Sequence, residues 1–191
     1  MINSALTRPI LITLLIGTTV GLLIALSAEK FDHLTTTDQF CTSCHSMSAY
    51  VAESETYRSS SHRNHAGGVQ PGCADCHIPK GLVISAYTHV VDGAADLWGQ
   101  LNYDYQDPEV WEKERARLAY AVRDTMREND SVTCRSCHTE SLIKPKRKRG
   151  QKQHETAKAE GMTCIDCHYN LVHDEVEPRD SFIDSAGLNA K

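Results

Sequence analysis

Apolar residues are unevenly spread along this chain. Residues 10–28, ILITLLIGTTVGLLIALSA, carry no charge, and a helix of that length, at about 1.5 Å per residue, nearly spans a hydrocarbon layer of roughly 30 Å. Further on, apolar positions return at helical spacing. Leu82, Ala86, Val90, Ala94, Leu97 and Leu101, with Trp98 beside them, predict a helix over 82–101. Asp107 and Pro108 form a cap and first-turn pair for another helix through Trp111, Leu118, Val122 and Met126, ending near Asn129 and Asp130. Residues 46–60 read as a helix with Met47, Tyr50, Val51 and Tyr57 near one side, closed by Ser59-Ser60-Ser61 and Gly67-Gly68. Thr35-Thr36-Thr37-Asp38 offers caps for a short helix ahead of it. Strand patterns are absent, so the expected fold is mostly α, with little or no β.

Arg8 precedes the apolar run and Glu29, Lys30 and Asp32 follow it. That weak positive-inside bias predicts a cytoplasmic segment at 1–9, a transmembrane anchor at 10–28 and an external domain at 29–191. A cleaved signal peptide is the competing reading, because Ala25-Leu26-Ser27 ahead of Ala28 resembles a cleavage site. The run is longer than a usual signal-peptide core, which favours an uncleaved anchor.

The external part is poor in core material, with three Phe and two Trp in the whole chain. Such chains need covalent or cofactor staples. The eight cysteines supply them, all in C-x-x-C-H order: Cys41, Cys44 and His45; Cys73, Cys76 and His77; Cys134, Cys137 and His138; Cys164, Cys167 and His168. This is the c-type haem attachment signal, in which two thiols bond the haem vinyls and the adjacent His reaches the iron. Disulfides, tetrahedral zinc and thioredoxin-like pairs leave the His after every second Cys unexplained. Four covalently bound haem c are therefore expected, packed into a small multihaem cytochrome c domain. Haem of this kind is attached outside the cytoplasm, which fits the anchor.

The motifs begin at 41, 73, 134 and 164, in two pairs, suggesting two di-haem halves at about 38–105 and 106–175. Six histidines lie outside the motifs: His33, His62, His65, His89, His154 and His173. They are the pool for the sixth iron ligands, and bis-His ligation would make low-spin, low-potential haems suited to relaying electrons. The net charge is −5, and no nucleic-acid partner is expected. One basic run at 144–152 holds Lys144, Lys146, Arg147, Lys148, Arg149 and Lys152. It reads as a solvated face, or as a docking patch for an acidic partner or anionic lipid.

Over nearly its whole length the sequence resembles the membrane-anchored quinol dehydrogenases of the NapC/NirT/NrfH group, CymA among them. The resemblance rests on the single anchor, the first motif continuing into Ser46-Met47, Ser61-His62 ahead of the second motif, and Asp96-Leu97-Trp98-Gly99. It rests also on Asn129-Asp130-Ser131 before the third motif, and on Cys164-Ile165-Asp166-Cys167-His168 with His173 following.

That resemblance implies axial ligands, with the haems numbered by their motifs. Met47 matches the ligand of haem 1 in the NrfH branch, in place of His45; ligation by His45, with Met47 in the core, is the alternative. His62 matches the distal ligand of haem 4 and His173 that of haem 3, which leaves His154 for haem 2, as on the NapC side of the group. His65 is an alternative distal ligand. His77, His138 and His168 are the proximal ones. The resemblance also implies a quinol site beside haem 1, with Asp96 at the family's carboxylate position. His89 stands where relatives carry Lys. Independently, residues 89, 92 and 96 fall on one helix face, so His89, Asp92 and Asp96 would point together. A titrating His and a carboxylate suit a reaction that releases protons with electrons. An ordinary polar helix face is the plain alternative, with Lys80 and the segment after the second motif as the next place for a quinol.

The implied function is transfer of electrons from menaquinol or ubiquinol to a periplasmic terminal reductase, of nitrate or nitrite type, or to an electron-accepting cytochrome. The protein would sit in the inner membrane as a single-pass chain, its haem domain facing the periplasm, and an oligomer is compatible with this. A stand-alone haem reductase acting on a small nitrogen oxide is the competing enzyme reading; no Lys sits in a motif to support it. A structural or sensory anchor is the third.

Overall fold

The computed structural model describes residues 4–186. The first three residues of the expected cytoplasmic segment and the last five of the chain lie outside the described residues. Helix α1, Ser4–Thr35, contains the whole apolar run and continues about two turns past it. Nothing between Pro9 and Thr35 breaks it. Two of its hydroxyls bond back to the helix, Thr13 donating to the Pro9 carbonyl at 2.9 Å and Thr19 to that of Leu15 at 2.8 Å, an arrangement compatible with an apolar surrounding. Residues 8–35 are long and apolar enough to cross a membrane, with none of the most apolar window buried inside the protein. This helix fits a single-pass membrane anchor.

Short helices carry the first two motifs: α2 (Asp38–Cys41), α3 (His45–Met47), α4 (Glu55–Ser59) and α5 (Cys73–His77). The single helix expected over 46–60 is in fact three pieces, with a π-helical turn Ser48–Ala52 between α3 and α4. Ser54 adopts an extended backbone and its hydroxyl accepts from Tyr57 N at 3.2 Å. A serine that caps a new helix ends the previous one. Thr37 likewise caps α2, accepting from Phe40 N at 3.2 Å.

Two long helices follow where the periodicity predicts them, α6 (Leu82–Asn102) and α7 (Pro108–Glu128, capped by Asp107). Helix α6 starts at Gly81, whose φ of +122° favours glycine. Then come α8 (Val132–Arg135), α9 (Lys148–Ala159) and α10 (Asp180–Ser185), with a 3-10 turn Cys164–Asp166 at the fourth motif. Helix α9 has no apolar stripe to announce it; its Lys, Gln, Glu and Ala content was the available signal. No strand occurs among the described residues.

The apolar core is small: Tyr57, Ala74, Tyr105, Trp111, Ile165, Val176, Phe182 and Ala186 are buried. The motif segments instead pack on each other in series. Helix α1 meets α2 and α6, α2 meets α5, α5 meets α8, and α7 lies on the 164–166 turn. The contact of α5 with α8 joins the second motif to the third.

Candidate functional site: four haem-attachment motifs and three histidine pairs

Polar side chains hold each motif in place. Asp38, ahead of the first motif, accepts from Cys73 N at 2.7 Å and pairs with Arg63 at 3.1 Å. Arg63 also donates to the Pro71 carbonyl and lies over the Tyr57 ring. Gly72 makes this approach feasible, since a Cβ there would meet Asp38 Oδ1 at 2.5 Å. The second half repeats the device. Ser131, fully buried with a left-handed backbone, accepts from Ile165 N of the fourth motif at 3.1 Å. Asp166 within that motif accepts from Thr163 N at 2.7 Å and pairs with Arg127 of α7 at 2.5 Å. Arg127 lies over Phe182 with its guanidinium carbon 3.7 Å from the ring centre.

The cysteines follow the same series. None is in a disulfide. The thiols of Cys41 and Cys73 interact, as do those of Cys134 and Cys164, and Cys76 lies near Cys137. The four attachment points therefore form one connected line from the foot of α1 to the C-terminal segment.

Three motif histidines face a second histidine. The ring centroids of His62 and His138 are 6.1 Å apart, those of His77 and His173 6.1 Å, and those of His154 and His168 6.2 Å. A metal held between two imidazole nitrogens at about 2 Å each puts the centroids roughly 6.3 Å apart. All three pairs meet that spacing. Two nitrogens per site is the number a porphyrin iron takes as axial ligands, whereas tetrahedral zinc takes four protein ligands. Among the described residues no group of three or more His, Cys, Asp or Glu converges as a metal cage. His77 and His173 are surrounded by protein. Burial, and then His173, push the His77 imidazole down to about 4. Burial also lowers His173, and burial followed by His154 and His138 lowers His168. Neutral imidazole is the form that binds a metal. Buried His62 Nδ1 has no hydrogen-bond partner. Donor type, spacing and protonation all fit haem.

The pairing differs from the one the resemblance implies. His62 lies against the third motif's His rather than the fourth's, His173 against the second's rather than the third's, and His154 against the fourth's rather than the second's. The packing of α5 on α8 is the reason. It sets the His62 loop beside the third motif, and it lets the segment after the fourth motif return to the second, where Tyr57 stacks on His173 with an angle of 4° between the rings. Tyr57 is a positioning residue that the sequence marked only as apolar. His65 turns back on its own loop, its Nδ1 accepting from Gly67 N at 3.0 Å. At the first motif His45 is exposed and Met47 half-buried.

Helix α6 connects the apolar helix α1 to that first motif. His89 Nδ1 is 2.9 Å from the Ser85 carbonyl and its Nε2 is 3.3 Å from that of Thr35, at the end of α1. Ser85 donates to Asp32. About three turns beyond His89, Gln100 donates at 2.8 Å to the hydroxyl of buried Ser46, next to His45. Asp92 and Asp96 lie between these contacts, exposed by area. The protein around Asp96, and then the like charge of Asp92, raise the Asp96 carboxyl above its ordinary value. His89 does not open outward with them as expected; its nitrogens are engaged at the junction of α1 and α6.

A helical domain built on four C-x-x-C-H motifs, with facing histidines and an apolar N-terminal helix, is a multihaem c-type cytochrome. The family profile described as "NapC/NirT cytochrome c family, N-terminal region" matches residues 4–178, and the chain belongs to this family. It is 40% identical to the "Probable tetraheme cytochrome c-type" of Nitrosomonas europaea, over 88% of this chain and 71% of that one. It is 33% identical to the "Denitrification system component NirT" of Stutzerimonas stutzeri, over 84% of this chain and 79% of the relative. The "Cytochrome c-type protein TorY" of Haemophilus influenzae is 38% identical over 83% of this chain, which spans 42% of that longer protein. No solved structure matches.

Proposed function

We propose that this protein takes electrons from a membrane quinol beside the first haem motif and delivers them, through the line of four motifs, to a periplasmic reductase of nitrate or nitrite type or to an electron-accepting cytochrome. One observation carries the reading: α6 is tied at one end to the foot of the membrane helix, through Ser85 and His89, and at the other to the first motif, through Gln100. Asp96 lies between. A quinol reaching this helix from the bilayer meets a carboxyl whose raised pKa brings it nearer neutrality, where a general base works best. Quinol oxidation releases two protons with two electrons: Asp96 accepts one proton, the other passes to water at this exposed helix face, and the electrons would leave one at a time to the haem of the first motif, while His89 holds the helix against α1. Bound haem supplies the one-electron iron chemistry. Met47 would hold the haem iron at the first motif, His62 and His138 that at the third, His77 and His173 that at the second, and His154 and His168 that at the fourth. The contacts between successive motifs support transfer in the order one to four, outward from the anchor, with the soluble domain on the periplasmic side. Menaquinol or ubiquinol serves as donor.

The test compares two reductants on the haem-loaded protein. Asp96→Asn is expected to keep four haems and normal reduction by dithionite, and to slow reduction by a menaquinol analogue about 10²-fold. Equal quinol rates in variant and wild type would move the site away from this face of α6, towards Lys80.

A further inference from the structure

The first turn of α6 is apolar on its outside. Leu82, Val83, Ile84 and Tyr87 are all exposed, Val83 at 85% and Tyr87 at 63%. With Gly81 they line an open depression of about 510 Å³ that is almost wholly apolar. No described segment covers it. Its height relative to α1 follows from two contacts: Ser85 meets Asp32, and His89, one turn later, meets Thr35, about one turn after Asp32. The two helices therefore run in the same sense where they touch. Going back from Ser85 towards Leu82 means going back along α1 from Asp32 towards Glu29 and Ala28, where the uncharged run ends. One helical turn is about 5 Å, and the polar layer on each side of the hydrocarbon is of similar thickness. The apolar turn thus lies level with the boundary between headgroups and acyl chains. Phe31 of α1, exposed and two residues beyond Glu29, adds apolar surface near this level. Apolar and tyrosine side chains are the residues this layer accommodates.

We propose that the first turn of α6, through Leu82, Val83, Ile84 and Tyr87, dips into the membrane interface as a second contact with the lipid surface and so holds the haem domain close against the bilayer. The proposal rests on the reading of α1 as the membrane span. A rigid contact at two points sets the tilt of α6, and with it the depth at which Asp96 meets molecules arriving from the lipid.

Because the native cysteines are bonded to haem, one added cysteine can be spin-labelled selectively. Val83→Cys and Ile84→Cys would each be labelled in full-length, haem-loaded protein, then reconstituted in phosphatidylethanolamine–phosphatidylglycerol liposomes. Collision rates with oxygen, which concentrates in lipid, and with a water-soluble nickel chelate would be read by power-saturation electron paramagnetic resonance. Leu15→Cys serves as the lipid reference and Lys113→Cys, on exposed α7 surface, as the water reference. The expected result is an oxygen-to-nickel ratio at 83 and 84 at least about threefold above that at 113 and approaching that at 15. A ratio equal to that at 113 overturns the proposal, as does low access of both reagents, which would mean that protein, a second copy or a haem covers the turn. A water-like ratio at 15 would overturn the anchor reading, and the proposal with it.

Discussion

His62 and His138 face each other with ring centroids 6.1 Å apart, although one belongs to the loop after α4 and the other closes the third motif. That spacing suits an iron held between them, which would join the first half of the sequence to the third motif. His62→Ala, His154→Ala and His173→Ala should each leave four attached haems and convert one low-spin haem to high-spin, because each removes an axial nitrogen without touching a cysteine. Low-temperature electron paramagnetic resonance would read this. His62→Ala should perturb the haem at Cys134 and Cys137, so the pairing fails if the haem at the fourth motif changes instead.

Gly72→Ala tests how the first two motifs are joined. The added methyl would lie 2.5 Å from Asp38 Oδ1 and push that carboxylate off Cys73 N and Arg63. A charged acceptor lost from a backbone N–H costs about 1.5–3 kcal/mol. A lower thermal midpoint of the holoprotein, with the three histidine pairs intact by spectrum, is the expected outcome.

The fourth motif depends on Asp166, which is 4% exposed. Asp166→Ala strands Arg127 and the Thr163 N–H, and loss of one partner of a largely buried pair costs about 3 kcal/mol. Chemical denaturation should show that loss. Replacing Arg127 as well should cost less than the sum of the two single changes, since the uncompensated charge goes too.

Asp96 should make quinol oxidation pH-dependent. Its carboxyl is raised by its surroundings and by Asp92, so the folded protein holds this proton more tightly than the unfolded chain. Its contribution to stability is therefore present below the ordinary carboxylate range and is lost as pH rises through the raised value. Activity runs the other way, because the ionised form is the base: the rate should climb with pH above the ordinary carboxylate range. Asp96→Asn should flatten both profiles, and a rate profile unchanged by that substitution would remove Asp96 from the reaction.

His89→Ala should act differently from Asp96→Asn. His89 sets its two ring nitrogens within reach of the Ser85 and Thr35 carbonyls rather than opening beside Asp96, so its loss should loosen α6 against α1. Reduced hydrogen-exchange protection at 82–90, alongside slower quinol reduction and unchanged dithionite reduction, is the expected pattern.

Much of this protein was written locally. Covalent attachment needs only Cys-x-x-Cys-His within one turn, so the four motifs and their haem chemistry are legible without a fold. The apolar helix is equally plain, because nineteen uncharged residues in a row need no tertiary partner to be read as fit to cross a membrane. Helices α6 and α7 follow from periodicity and from the Asp107–Pro108 start. What the sequence could not decide is which distal histidine meets which motif, since ligation joins residues far apart in the chain and no local pattern distinguishes one distant iron from another. Tertiary packing decided it: α5 lies on α8, so His62 faces His138 and His173 comes back to His77 under the Tyr57 ring. The break in the expected 46–60 helix was a contest between apolar spacing and a capping serine, won by Ser54. His89 shows the same division. Helical spacing placed it on one face with Asp96, but only the approach of α1, bringing the Thr35 carbonyl within 3.3 Å, determined that its ring would turn inward.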